Sequence, residues 1–172
     1  MKKQLAKMIG GRSGLDRMGA LTGAGVKHPG EDWAFVRVTK GQGSADDLLK
    51  RVRFDGTQAG VLEHELGHVL EALNPELFDR AKAFLKARAG SDRPKLHGKQ
   101  GRRPVRGWAD QFLDWYTGRD YSLPDGKVYG TEITSTALEL LIANRRHWGR
   151  LEELARVDFE HLIFLLGQLA GT

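Results

Sequence analysis

Two histidines four residues apart, with a glutamate directly after the first, are the residues of this chain best placed to do chemistry. They lie in Val61-Leu62-Glu63-His64-Glu65-Leu66-Gly67-His68-Val69-Leu70-Glu71. On a helix, positions i and i+4 stand one above the other on the same face. His64 and His68 can therefore aim imidazole nitrogens at one point off that face. Glu65 is offset around the helix and reaches the outer side of that point. There a carboxylate accepts a proton from a water instead of taking a coordination position. A zinc ion held by the histidines would lower the pKa of its water toward ~7 and polarise a substrate carbonyl. Two stacked histidines among apolar neighbours are hard to satisfy without a metal, because buried polar groups need partners.

A catalytic zinc has three protein ligands and one open position. The chain has no cysteine, which excludes thiolate ligands, cysteine nucleophiles and disulfides. The position three after His68 is Glu71 and the position six after it is Asn74, so the longer three-histidine motif of the metzincins is absent. Candidates for the third ligand are His97, His147, His161, Glu71, Glu132 and Glu139. Glu132 is preferred. It opens a helix right after Tyr129-Gly130-Thr131, with Ile133 and Ala137 facing inward beside it. A carboxylate in a first helical turn is also favoured by the helix dipole. Glu139, seven residues on and on nearly the same face, is the alternative ligand or an acceptor for a ligand histidine N–H. Glu71 is read in the same supporting role; for both, a solvated or capping carboxylate is the plain alternative. Tyr129 is the candidate phenol for donating to a tetrahedral oxyanion, against the plain alternative of packing a turn.

These residues must be positioned by a scaffold, and its elements are partly visible. Trp33 to Thr39 is β-branched and aromatic, a strand candidate. Ala45 to Lys50 reads as one or two helical turns capped by Ser44. Val52 and Phe54 alternate with Arg51 and Arg53, which predicts a second short strand. It could be the edge strand that pairs with an extended substrate. The motif helix begins near Thr57, carries Val61, Leu62, Leu66, Val69, Leu70 and Leu73 as its apolar stripe, and stops at Asn74-Pro75. Asn74 caps the next helix, which runs to Gly90. Ser91 to Gly107 is polar, basic and broken by Pro94 and Pro104, and reads as a long loop. A short helix over Trp108 to Tyr116 comes next, then a loop with the turn signal Pro124-Asp125-Gly126. Thr131 caps a helix from Glu132 to about Asn144, and two more helical segments span about His147 to Val157 and Phe159 to Leu169. The expected fold is α+β and mostly helical, with a small sheet ahead of the motif helix and a second helix carrying the glutamate.

At 172 residues the chain suits one domain with a real core. Residues 1–30 are rich in Gly and Lys and read as a flexible segment with at most one short helix near Lys3 to Met8; residues 31–172 form the domain. No apolar run approaches the ~20 residues of a membrane helix, and Gly10-Gly11-Arg12-Ser13 interrupts any secretory signal. A cytoplasmic protein is expected. The net charge of +5 is concentrated near the N-terminus and between Arg93 and Arg106, where solvated charge is the plain reading.

Glu63-His64-Glu65-Leu66-Gly67-His68, with Tyr129-Gly130-Thr131-Glu132-Ile133-Thr134-Ser135 later in the chain, resembles the gluzincin branch of zinc metallopeptidases. Within that branch it is most similar to lethal-factor-like toxin peptidases and to metallopeptidase domains encoded in phage and other mobile elements. The resemblance covers roughly residues 57 to 144. It implies a zincin-like fold, zinc as cofactor, and a protein or peptide substrate. It also implies His64, His68 and Glu132 as metal ligands and Glu65 as general base. In the toxin pattern the tyrosine stands further from the glutamate and a second acid comes one turn later. Here that position is Thr136, and the next acid is Glu139.

Two other classes compete. A phage or mobile-element structural or interaction protein would bind zinc for stability and cut nothing, but would have no need of Glu65. Nucleic-acid binding through Arg93 to Arg106 is the weaker reading, because that stretch lacks the interleaved aromatics of a single-strand platform.

Overall fold

The computed structural model describes residues 33–38, 43–46, 49–55, 60–97, 105–108, 112–113, 115–122, 126–142 and 148–170. The expected segment 1–30 and His147 lie outside them. The architecture is α+β, with about half of the described residues helical, two small sheets and a helix-rich core. No helix among the described residues is long and apolar enough to cross a membrane.

The first sheet has strand order β1-β3-β2, with β1 at Ala34–Val38, β2 at Ser44–Asp46 and β3 at Arg51–Asp55. β1 runs parallel to β3 and β2 antiparallel to it, pairing Phe35 with Val52 and Ala45 with Val52. The alternation read in β3 is the pleat itself: Val52 and Phe54 point into the core while Arg53 faces solvent. Two expectations are corrected here. Ser44 does not cap a helix; Ser44–Asp46 is a strand. Asp46 Oδ1 accepts the Leu49 N–H at 3.0 Å, and this tight turn, with Lys50 in the left-handed region, returns the chain into β3. Nor is β3 an edge strand. Both of its sides are paired, so the edges fall to β1 and β2.

Helix α1 (Val61–Leu73) lies across this sheet. Its Leu62, Leu66, Val69 and Leu70 pack with Trp33, Val52, Phe54 and Leu138 in one apolar cluster. Asn74 ends it and opens the next helix: its side chain donates to Leu70 O at 2.8 Å, while its carbonyl, at the N-cap position of the helix that follows, accepts the Phe78 N–H at 3.1 Å; its side chain makes no capping bond there. Helix α2 (Pro75–Ala89) starts on the proline, which suits a first turn whose N–H has no intrahelical partner, and stops at Gly90.

The second sheet was not expected. Its strands β4 (Lys95–His97), β5 (Val105–Gly107), β6 (Arg119–Ser122) and β7 (Val128–Thr131) form an antiparallel meander in that order. Strands therefore lie within the stretch read as a basic loop, and on both sides of the segment Pro124-Asp125-Gly126. The expected helix over Trp108 to Tyr116 is replaced, at its described residues, by bends and turns.

Helix α3 (Ile133–Ile142) leaves β7 directly and precedes α4 (Trp148–Val157) and α5 (Phe159–Ala170). It serves both parts of the core. Leu138 belongs to the cluster under the first sheet, while Ile133, Ala137 and Leu140 join Ala81, Leu85, Phe112 and Leu154 in a second cluster. The approach of α1 to α3 is backbone-close: a Cβ placed on Gly67 would lie 2.3 Å from Ser135 Cα. Only glycine fits there.

Candidate metal centre and active site

The close approach at Gly67 brings the histidine face of α1 onto the first turn of α3. His64 Nε2 lies 3.1 Å from Glu132 Oε2, and His68 Nε2 lies 3.4 Å from the same oxygen. Among the described residues, His64, His68 and Glu132 offer one donor atom each within 4.8 Å of one another, a group that could hold a metal ion. The donor chemistry fits zinc, which takes imidazole nitrogen and carboxylate oxygen in sets of three plus an open position.

Glu132 is fully buried, and the opening of α3 is built to tolerate it. Ser135 Oγ donates to Glu132 Oε2 at 2.7 Å, and Tyr121 OH donates to Glu132 Oε1. Thr136 Oγ1 donates to the Glu132 carbonyl at 2.6 Å. A run of threonine and serine is thus buried here because each hydroxyl has an acceptor.

Glu71 and Glu139 brace the site from two directions. Glu71 accepts from Thr131 N–H at 3.2 Å and from Thr131 Oγ1 at 2.7 Å, tying the end of α1 to the residue before Glu132. Glu139 Oε2 accepts from His64 Nδ1 at 3.1 Å. That bond leaves His64 Nε2 as the donor atom toward the centre and fixes the ring's orientation. Of the two roles considered for Glu139, the geometry places it against the outer nitrogen of His64, while Glu132 faces both histidines.

Glu65 points away from these carboxylates, toward β2. It accepts a hydrogen bond from the Ala45 backbone. A Cβ on Gly43 would stand 2.4 Å from Glu65 Oε1, so the glycine before β2 is what leaves room for this carboxylate.

The charges are strongly coupled. Burial alone would lower the His64 imidazole. Hydrogen bonds to Glu132 and Glu139, with the charges of Glu132 and Glu65, outweigh it and push the pKa up to about 10. His68 is raised too, the Glu132 charge overriding burial. Burial also works against an ionised Glu132, but His68 and His64 hold it well below the usual carboxylate range. Burial pushes Glu65 up, with the two histidines partly offsetting it. This proton-rich cluster is what a metal ion would replace, since ligand imidazoles must be neutral to bind.

The phenols at the site are Tyr121 and Tyr116. Tyr116 OH lies 3.2 Å from His64 Nε2. Burial, then the Glu132 charge, raises both phenols above their ordinary range, so both stay protonated. The expected phenol, Tyr129, is placed elsewhere: it is 60% exposed on β7, its ring 6.0 Å from that of Tyr121. No spacing rule links Tyr116 or Tyr121 to the motif. They come in through the unexpected second sheet and the turn before it.

The remaining described candidates, His161 and His97, are not part of the donor group. His161 is buried against the Phe84 and Phe112 rings, with ring centroids 5.3 and 5.7 Å away. His97 stands on β4. Comparisons of the chain with protein-family models, with curated proteins and with solved structures return no match.

Proposed function

We propose that this chain is a zinc-dependent endopeptidase of the gluzincin type on a zincin-like scaffold. One observation carries the reading: His64, His68 and Glu132 converge on one point while Glu65 stands beside them on α1. A zinc ion bound there supplies Lewis acidity toward a peptide carbonyl and activates water for attack. The chain's own residues do the rest. Glu65 takes the water's proton and passes it to the leaving amine, a task suited to a carboxylate whose affinity for protons burial has raised. Tyr116, held protonated, is a donor for the oxyanion that develops on the carbonyl, while the Tyr121 hydroxyl keeps donating to Glu132. Glu139 keeps His64 in the tautomer that offers Nε2. An extended peptide pairs along β2, whose outer side carries no strand among the described residues and which already touches Glu65.

The test is zinc content by elemental analysis together with proteolysis of an unfolded protein, for wild type and Glu65→Gln. About one zinc per chain is expected in both. Proteolysis should fall by about 10²–10⁴-fold in the variant. Zinc without proteolysis in the wild type would leave a zinc-binding interaction protein. No zinc after supplying it at neutral pH would sink both readings.

A further inference from the structure

Two arginines among the described residues grip carboxylates on both oxygens. Arg88 grips both oxygens of Asp158 at 2.7 and 2.8 Å, and Arg106 both oxygens of Asp120 at 2.9 and 2.6 Å. Arg119, at the start of β6, is held differently. Its guanidinium carbon lies 4.7 Å from the ring centre of Tyr116, 5.2 Å from Trp115 and 5.3 Å from Tyr121. Its Nε is buried and meets no hydrogen-bond partner among the described residues. The residue as a whole is only half-buried, and Trp115 beside it is 39% exposed, so the cradle opens to solvent.

The backbone fixes where this cation stands. Arg119 N–H donates to Tyr116 O at 3.1 Å, and Arg119 O accepts the Glu132 N–H at 3.2 Å. Two of the three rings that hold it are those whose hydroxyls touch His64 and Glu132. The guanidinium is thus one aromatic ring away from the metal-ligand cluster. The nearby carboxylates are already engaged: Glu132 by Tyr121, Ser135 and the histidines, Glu139 by His64, and Glu71 by Thr131. Aromatic faces hold a guanidinium through its π-surface and leave its fork of N–H donors, which lies in the plane, able to bind a carboxylate bidentately.

We propose that Arg119 is a specificity-determining residue that receives a carboxylate of the substrate close to the cleaved bond. The carboxylate comes from an acidic side chain or from a chain terminus. The inference rests on the peptidase reading, and it assigns the substrate class: peptides with an anionic group beside the scissile bond.

The test digests a peptide library with the zinc-loaded protein and locates the cuts by mass spectrometry. The best peptide is then remade twice, once with Glu replaced by Gln and once with its C-terminus amidated. One of these changes should lower kcat/KM by roughly 10- to 100-fold, the worth of a charge-assisted hydrogen-bonded pair, and which one does so identifies the source. In Arg119→Gln the ratio should collapse toward one, and Arg119→Lys should restore part of it. A second arm is independent of cleavage. N-acetylglutamate amide is titrated into isotope-labelled, zinc-loaded protein while the Arg119 Nε–H resonance is tracked, with N-acetylglutamine amide as control. A shift with the acid alone, absent in Arg119→Gln, supports the subsite. If no peptide is cut, the peptidase reading fails while this arm still decides the subsite. Equal kcat/KM for the acidic and neutral peptides, a preference that survives Arg119→Gln, or no shift with the acid would overturn it.

Discussion

Among the described residues, two buried histidine neighbourhoods differ in what surrounds the ring nitrogens. His64 and His68 face one shared carboxylate, Glu132, with a second carboxylate behind His64. His161 is just as deeply buried and also has an acid nearby, with Nδ1 3.8 Å from Asp158 Oδ2. That acid, however, is gripped on both oxygens by Arg88, and the His161 ring lies against Phe84 and Phe112. A carboxylate matched by an arginine is a closed structural pair. Donors that converge on one point with their own braces behind them form a place for a cation. Burial of a histidine therefore says little; the partners of its neighbours say more.

The comparison can be broken most directly by emptying one neighbourhood at a time. His64→Ala with His68→Ala should abolish zinc binding outright, whereas His161→Phe should leave zinc content near that of the wild type. Elemental analysis of the three proteins checks this, and zinc lost from His161→Phe would erase the distinction. A smaller effect is expected from removing only the brace. Glu139→Gln keeps the shape but weakens the hold on His64 Nδ1, and zinc affinity should fall roughly 10- to 100-fold by competition with a chelating dye.

The smallest effect concerns pH and the metal-free protein. His64 has a folded-state pKa of about 10, above its ordinary value of 6.5. The stability it contributes is therefore fully present below pH 6.5 and is lost as pH rises through about 10. Thermal unfolding of chelator-treated protein should show a melting temperature that falls across that window, and by less in Glu139→Gln. A flat profile would mean that the carboxylates do not hold the proton there.

The motif helix was legible because its signals are local: a periodic apolar stripe, two histidines one turn apart, and a proline at the stop. Helices α3 and α5 were legible through the same kind of periodicity. The strand Ser44–Asp46 was not, since a polar three-residue segment after Gly43 has no period to detect, and Ser44 mimics a cap. The second sheet was hidden in the same way by strands of three or four residues, two of them inside a basic, proline-broken stretch. Glu132 could be picked from its place at a helix start. Tyr116, Tyr121 and Arg119 could not, because only the pairing of β6 with β7 carries them to the glutamate. Tyr129 is nearer to Glu132 in sequence, but Tyr121 is the phenol that bonds it.

Gly67 joins the two halves of the donor set without any side chain between them. The spacing between the histidine pair and Glu132 is thus a property of main chain resting on main chain, and no rotamer can adjust it. Loops and outer faces can change freely around such a joint while the bite of the two helices stays constant. Any larger residue at this position would act as a wedge, opening the jaws of the site before it disturbed a single ligand.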